Sequence, residues 1–153
     1  MNKLIEKIKH WRDTFGIETP RRYTELTPEQ KQRSIDLTQS ELNELKQATN
    51  KNDILDGLGD VIWTAIGQCM DYGVDPAELI NRIYESNMSK LCRTESEAAE
   101  TVAAYWMGTH PDKKGQSILT AYVKEGKRYV VRKKENNKVM KSLNFKEPNF
   151  EGL

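Results

Sequence analysis

Four acidic residues stand on either side of a short polar break: Glu41 and Glu44 in QSELNELKQA, then Asp56 and Asp60 in DILDGLGDVIW, separated by TNKND. Glu44 and Asp56 lie about equally far from the break, and so do Glu41 and Asp60. An antiparallel helical hairpin would bring those partners to the same levels. Carboxylates gathered in this way repel by up to roughly 4 kcal/mol per close pair at an effective dielectric of about 20, a cost that a bound cation would offset. All-oxygen ligation selects a hard cation, Mg2+ or alternatively Mn2+, and through it a phosphate-bearing substrate. From spacing alone, a solvated acidic face explains the same residues.

The elements that must position these acids can be read from apolar periodicity and helix punctuation. Residues 2 to 15 carry Leu4, Ile5, Ile8, Trp11 and Phe15 at near-helical spacing and stop at Gly16. Thr27-Pro28-Glu29 supplies a cap, a first-turn proline and an early acid for a second helix reaching about Ala48. Asn52 or Asp53 is the expected cap of a third helix, which ends at Tyr72-Gly73; Asp75-Pro76 opens a fourth, expected to run through Cys92. Thr94 and Glu97 have capping-box spacing at the head of a fifth helix over TESEAAETVAAYWM. Beyond Met107, SILTAYV, KRYVVRK and NKVMK read as short strands of a hairpin or meander. SLNFKEPNFEGL reads as an extended tail packed by Phe145 and Phe150. The expected fold is mainly α, an antiparallel bundle of four to five helices with a small C-terminal β hairpin or meander, in one domain over 1–153.

At about 100° per residue, Leu37, Glu41, Glu44 and Ala48 share one stripe beside an apolar arc of Ile35, Leu42 and Leu45. Asp56 and Asp60 lie opposite the arc of Ile54, Leu58, Val61, Ile62 and Ala65, on a side shared with Trp63, Gly67 and Met70. That company argues against a plain solvent face. Gly57 and Gly59 each cost a helix roughly 1 kcal/mol relative to Ala. Close approach of a neighbouring helix, close approach of a ligand and a locally irregular turn are three explanations that the sequence leaves open.

Composition bounds the function classes. The 153 residues suffice for a core, and no apolar stretch approaches the ~18 residues of a membrane span. Two well-separated cysteines, Cys69 and Cys92, make neither a CxxC motif nor a disulfide framework, so both are expected to be buried and the compartment to be a reducing cytoplasm. His10 and His110 have no metal-ligand spacing and are expected at the surface, while Trp11 and Trp63 are expected in the core, with stacking on a base as the alternative. Net charge is only +1, but residues 36–60 are acidic by four and residues 124–141 basic by six. An acidic cradle beside a basic strip suits a metal-bound polyphosphate, whereas a nucleic-acid binder would show a net basic domain. No GxxxxGK[ST] loop or Gly-rich nucleotide fingerprint occurs.

The sequence resembles the all-α nucleoside triphosphate pyrophosphohydrolases, the group of MazG-like proteins, dimeric dUTPases and phosphoribosyl-ATP pyrophosphohydrolases, marked by ExxE and, after a spacer, ExxD. Glu41-Leu42-Asn43-Glu44 matches the first half. Leu58-Gly59-Asp60-Val61 matches the second, with Gly57 where the glutamate usually stands and Asp56 one residue earlier. A phosphoribosyl-ATP pyrophosphohydrolase-like branch has this DxLxD form together with SNMSKL, present unchanged as Ser86 to Leu91, and a tail echoed by Asn137 to Pro148. The resemblance covers residues 2–91 and 128–150; residues 93–127 read as an insertion, and 118–153 as hairpin plus tail. It implies a Mg2+-dependent hydrolase that cleaves an NTP or dNTP to the monophosphate and pyrophosphate. It further implies Glu41, Glu44, Asp56 and Asp60 as metal ligands, Asn87 and Lys90 as substrate contacts, and a homodimer or homotetramer. Glu41 or Glu44 is the expected general base because each borders the apolar arc, where desolvation would raise its pKa, and Lys141 of the basic strip is an expected substrate contact. Two other readings stay open: a nucleic-acid or partner-binding module using Lys124 to Lys141, and a scaffold of the same fold that has lost catalysis, for which Gly57 is the main support.

Overall fold

The computed structural model describes residues 2–153, with Asn2 described by its backbone alone; Met1, the first residue of the expected domain, lies outside the described residues. In chain order the elements are α1 (Asn2–Thr14), α2 (Pro28–Gln47), α3 (Lys51–Asp71), α4 (Pro76–Met88), α5 (Glu95–Trp106), a 3-10 turn (Pro111–Lys113), β1 (Thr120–Glu125) and β2 (Arg128–Lys133). The fold is mainly α with a C-terminal hairpin, as the sequence predicts. Its contacts gather in two compact units, residues 1–80 with 150–153, and residues 81–149.

The first unit is built on α1, α2 and α3. Thr27 caps α2 with a full capping box: its hydroxyl accepts from the Gln30 amide at 3.2 Å while the Gln30 side chain accepts from the Thr27 amide at 2.9 Å. The cap of α3 is Asn50, earlier than the expected Asn52 or Asp53. Its Oδ1 accepts from both of their amides, at 3.0 and 3.1 Å, which lets the helix begin at Lys51. Gly73 closes α3 with φ +69, and a Cβ there would lie 2.1 Å from the Arg22 carbonyl oxygen, so the incoming loop requires glycine. Arg12 fastens α1. Buried at 5% exposure, its guanidinium donates to Thr19, to the carbonyls of Glu18 and Gly67, and to Asp71 Oδ1 at 2.6 Å.

In the second unit α5 packs on both strands of an antiparallel pair in which Ala121 faces Arg132 and Val123 faces Val130. Cys92, Ala98, Val102, Tyr105, Val131 and Met140 form its core. Helix α4 stops at Met88 rather than Cys92, because Cys92 is drawn into a bridge with Tyr129 through two backbone hydrogen bonds of 2.9 and 3.0 Å. Thr94 caps α5 as expected, and Glu97 reaches back to the amide of Arg93. The expected third strand over NKVMK is reduced to a single bridge, Arg132 with Val139, because Asn137 turns the chain with φ 59. In the tail Phe145 is half-buried, but Phe150 is nearly half exposed rather than packed.

Candidate functional site

Helices α2 and α3 form the hairpin that the acidic pairs require. Leu45 lies against Gly57, the Gln68 side chain donates to the Thr38 hydroxyl at 2.6 Å and the Ser34 carbonyl at 2.5 Å, and Ser34 reaches Asp71 at 3.4 Å. These cross-links set an antiparallel register in which Glu44 falls near the level of Asp56 and Glu41 near that of Asp60. They also account for Gly57, where a Cβ would meet Leu45 Cβ at 3.0 Å and Leu45 Cα at 3.1 Å. Of the three explanations for the paired glycines, close helix approach holds for Gly57. Gly59 has nothing within 4 Å and earns no such account.

Electrostatics tie the four acids together. Glu41, half-buried, has its carboxyl pushed above the usual range, first by desolvation and then by the charges of Glu44, Asp60 and Asp56. Glu44, Asp56 and Asp60 are exposed. Among the described residues, no three histidine, cysteine or carboxylate side chains converge closely enough to hold a metal ion. The acids thus form an electrostatically coupled group whose donor chemistry suits a hard divalent cation, without the geometry of a closed cage.

Trp63, one turn beyond Asp60, is half-buried and meets Trp11 edge-on with ring centroids 5.7 Å apart; Trp11 in turn lies 4.8 Å from Phe15. Both tryptophans are less enclosed than the sequence suggests, Trp11 being 39% exposed. The apolar arcs assigned to the buried faces are open as well: Ile35, Leu42, Ile54, Leu58 and Ile62 are each more than two-fifths exposed. The reason is that α3 turns its Gly57, Thr64 and Met70 inward instead.

In the second unit Asn87 and Lys90 meet as their spacing predicts, Lys90 Nζ donating to Asn87 Oδ1 at 2.5 Å, although Lys90 lies in the turn beyond α4. Lys141 is already engaged. Its ammonium pairs with Glu147 at 2.8 Å and Asp112 at 3.0 Å and lies 4.3 Å from the Phe145 ring centroid. Those two carboxylates, Glu147 foremost, raise its pKa. His110 is the main miss among the titratable groups. Expected at the surface, it is 2% exposed and stacked on Tyr105 with centroids 3.9 Å apart, its Nδ1 accepting from the Asp112 amide at 3.2 Å. Burial lowers its pKa against the opposing pull of Asp112 and of the Ser142 and Lys141 carbonyls, and burial drives the Tyr105 hydroxyl up to about 12. Cys92 is buried as expected, whereas Cys69 is only partly so. The sequence offers no cue to His110 other than its place two residues before an aspartate in a turn.

A mainly α chain with an acid-lined α2–α3 hairpin carrying ExxE has the features of the MazG-like all-α NTP pyrophosphohydrolase superfamily. Within it the chain belongs to the phosphoribosyl-ATP pyrophosphohydrolase family, whose model matches residues 8–87, just over half of the chain. An uncharacterized protein of Acanthamoeba polyphaga mimivirus is 41% identical over 81 residues, an alignment covering 53% of this chain and 32% of that protein. The chain thus spans about a third of the length of this relative. Family membership points to pyrophosphohydrolase activity in general. No helix among the described residues is long and apolar enough to cross a membrane.

Proposed function

We propose that the protein is a Mg2+-dependent nucleotide pyrophosphohydrolase that cleaves an NTP or dNTP to the monophosphate and pyrophosphate, with Mn2+ able to replace Mg2+. The observation that carries this reading is the facing of Glu41 and Glu44 on α2 with Asp56 and Asp60 on α3, where desolvation and then the charges of the other three acids raise the pKa of Glu41. Glu41, Glu44, Asp60 and Asp56 would hold the metal, which when bound supplies charge neutralisation on phosphate oxygens and an acidified water. Glu41 is the better general base, because it is the half-buried member and its desolvation favours proton uptake. Lys90 and Asn87, already joined to each other, offer an ammonium and an amide to a phosphate, and Lys141 a further ammonium if it exchanges a carboxylate partner for substrate. The protein acts in the cytoplasm on this reading.

The chain works as a homodimer or homotetramer on the same reading. Exposed Leu42 on α2 and exposed Ile54, Leu58 and Ile62 on α3 support it, since apolar side chains left open on paired helices are ones that a second copy would cover. The test of function is pyrophosphate release from a panel of triphosphates with Mg2+, compared between the wild type and Glu44→Gln. Substitution of the exposed Glu44 leaves the fold intact and should abolish turnover.

A further inference from the structure

The second unit contains a cavity of about 520 Å³ whose lining residues all lie beyond the family-matched residues 8–87. Five lysines line it: Lys90, Lys113, Lys133, Lys138 and Lys141. The local structure holds them together. Lys113 sits in the 3-10 turn that His110 caps, and Lys133 and Lys138 flank the turn at Asn137, where the Lys133 amide donates to the Lys138 carbonyl at 2.8 Å. Lys141 is anchored by Asp112 and Glu147, and Lys133 by Glu135. Lys90, Lys113 and Lys138 have no carboxylate ion-pair partner among the described residues. Asp112 is the single acid in the lining, and Asn136 and Gln116 add amides beside apolar Ile118, Val139 and Met140.

Like-charged ammonium groups around one concavity repel one another unless an anion sits among them. The volume lies within the range of small-molecule sites, about 300–1,000 Å³. Lysine is a point-charge donor that serves as a phosphate binder, and five of them line the cavity. Several separated ammonium groups call for several charges on one ligand. A chain that is only +1 overall and gathers its lysines around one concavity differs from the basic stripe that tracks a nucleic-acid backbone.

We propose that this cavity is a binding site for a polyphosphate chain, the triphosphate or pyrophosphate portion of a nucleotide, with Lys113 and Lys138 as binding residues alongside Lys90. The identity of the ligand as a polyphosphate rests on the hydrolase reading above; the site itself rests on the cavity. Titration calorimetry of the full chain with inorganic triphosphate in the absence of divalent ions isolates it, because the metal-free acids of the α2–α3 hairpin repel such a ligand. Triphosphate should bind more tightly than orthophosphate. The Lys113→Ala, Lys138→Ala double variant should bind it about tenfold more weakly or worse, while Lys31→Ala on α2 should bind as the wild type does. Both lysines are exposed, so the double variant keeps its fold, which its circular dichroism checks. Absence of triphosphate binding, unchanged affinity in the double variant, or preference for a single-stranded oligonucleotide over triphosphate would each overturn the proposal. Triphosphate binding of the predicted kind without pyrophosphate release in Mg2+ would defeat the hydrolase reading and leave the cavity's assignment standing.

Discussion

Replacing each of the two glycines of α3 by alanine should change stability in opposite directions. At Gly57 the new Cβ would lie 3.0, 3.1 and 3.3 Å from the Cβ, Cα and amide nitrogen of Leu45, against an ordinary contact of about 3.5–4.0 Å. Two of those atoms are backbone, which cannot rotate away, so α2 must shift by roughly half an ångström. Overpacking of this kind costs about 1–3 kcal/mol, and the gain in helix propensity returns about 1 kcal/mol. Gly57→Ala should therefore lose between about 0 and 2 kcal/mol, centred on about 1 kcal/mol, and gain none of the stability that alanine brings at an open helix position. At Gly59 nothing lies within 4 Å, so alanine should add about 0.5–1 kcal/mol. Thermal unfolding followed by circular dichroism, at about 2–4 °C per kcal/mol for a chain of this size, resolves the two signs. A Gly57→Ala protein more stable than the wild type by as much as Gly59→Ala would refute the close α2–α3 contact. The same contact makes Gly57→Glu, which restores the commoner family residue, a destabilising change.

Two other outcomes follow from the geometry. His110 has its pKa lowered by burial from 6.5, so the unfolded chain holds a proton that the folded chain does not; the stability tied to this group is complete above about pH 6.5 and is lost as pH falls through the lowered folded value. Midpoints measured across that window should fall for the wild type and fall less for His110→Phe, which keeps a ring against Tyr105; identical slopes would contradict the buried neutral histidine. Light scattering should show a dimer or tetramer for the wild type and a smaller, still helical species for Ile62→Glu, which places a charge in an arc where Ile62 is 52% exposed; a monomeric wild type would count against assembly through that face.

The legible part of the molecule was the part set by local chemistry. Thr27-Pro28 and Thr94 gave caps because their hydroxyls need only an amide two or three residues on, and the ExxE and DxLxD spacing placed the acids on facing helices. Tertiary pairing overrode local pattern elsewhere. Helix α4 ends at Met88 because Cys92 pairs with Tyr129, a partner 37 positions away that no periodicity reveals. The strand expected at NKVMK fails because Asn137 adopts positive φ. The amphipathic arcs of α2 and α3 identified apolar faces correctly but not which of them packs within the unit, since α3 buries Gly57, Thr64 and Met70. The basic strip was visible as charge, whereas its assembly with Lys113 and Lys90 into one cavity depends on the 3-10 turn and the end of α4 coming together.

The most direct test of the central claim is pyrophosphate release from nucleoside triphosphates by the wild type and by Glu44→Gln, each with and without Mg2+. The account predicts release by the wild type that requires Mg2+ and is lost in the variant at unchanged helix content. Equal release by the folded variant, or release by the wild type that is indifferent to Mg2+, would contradict it.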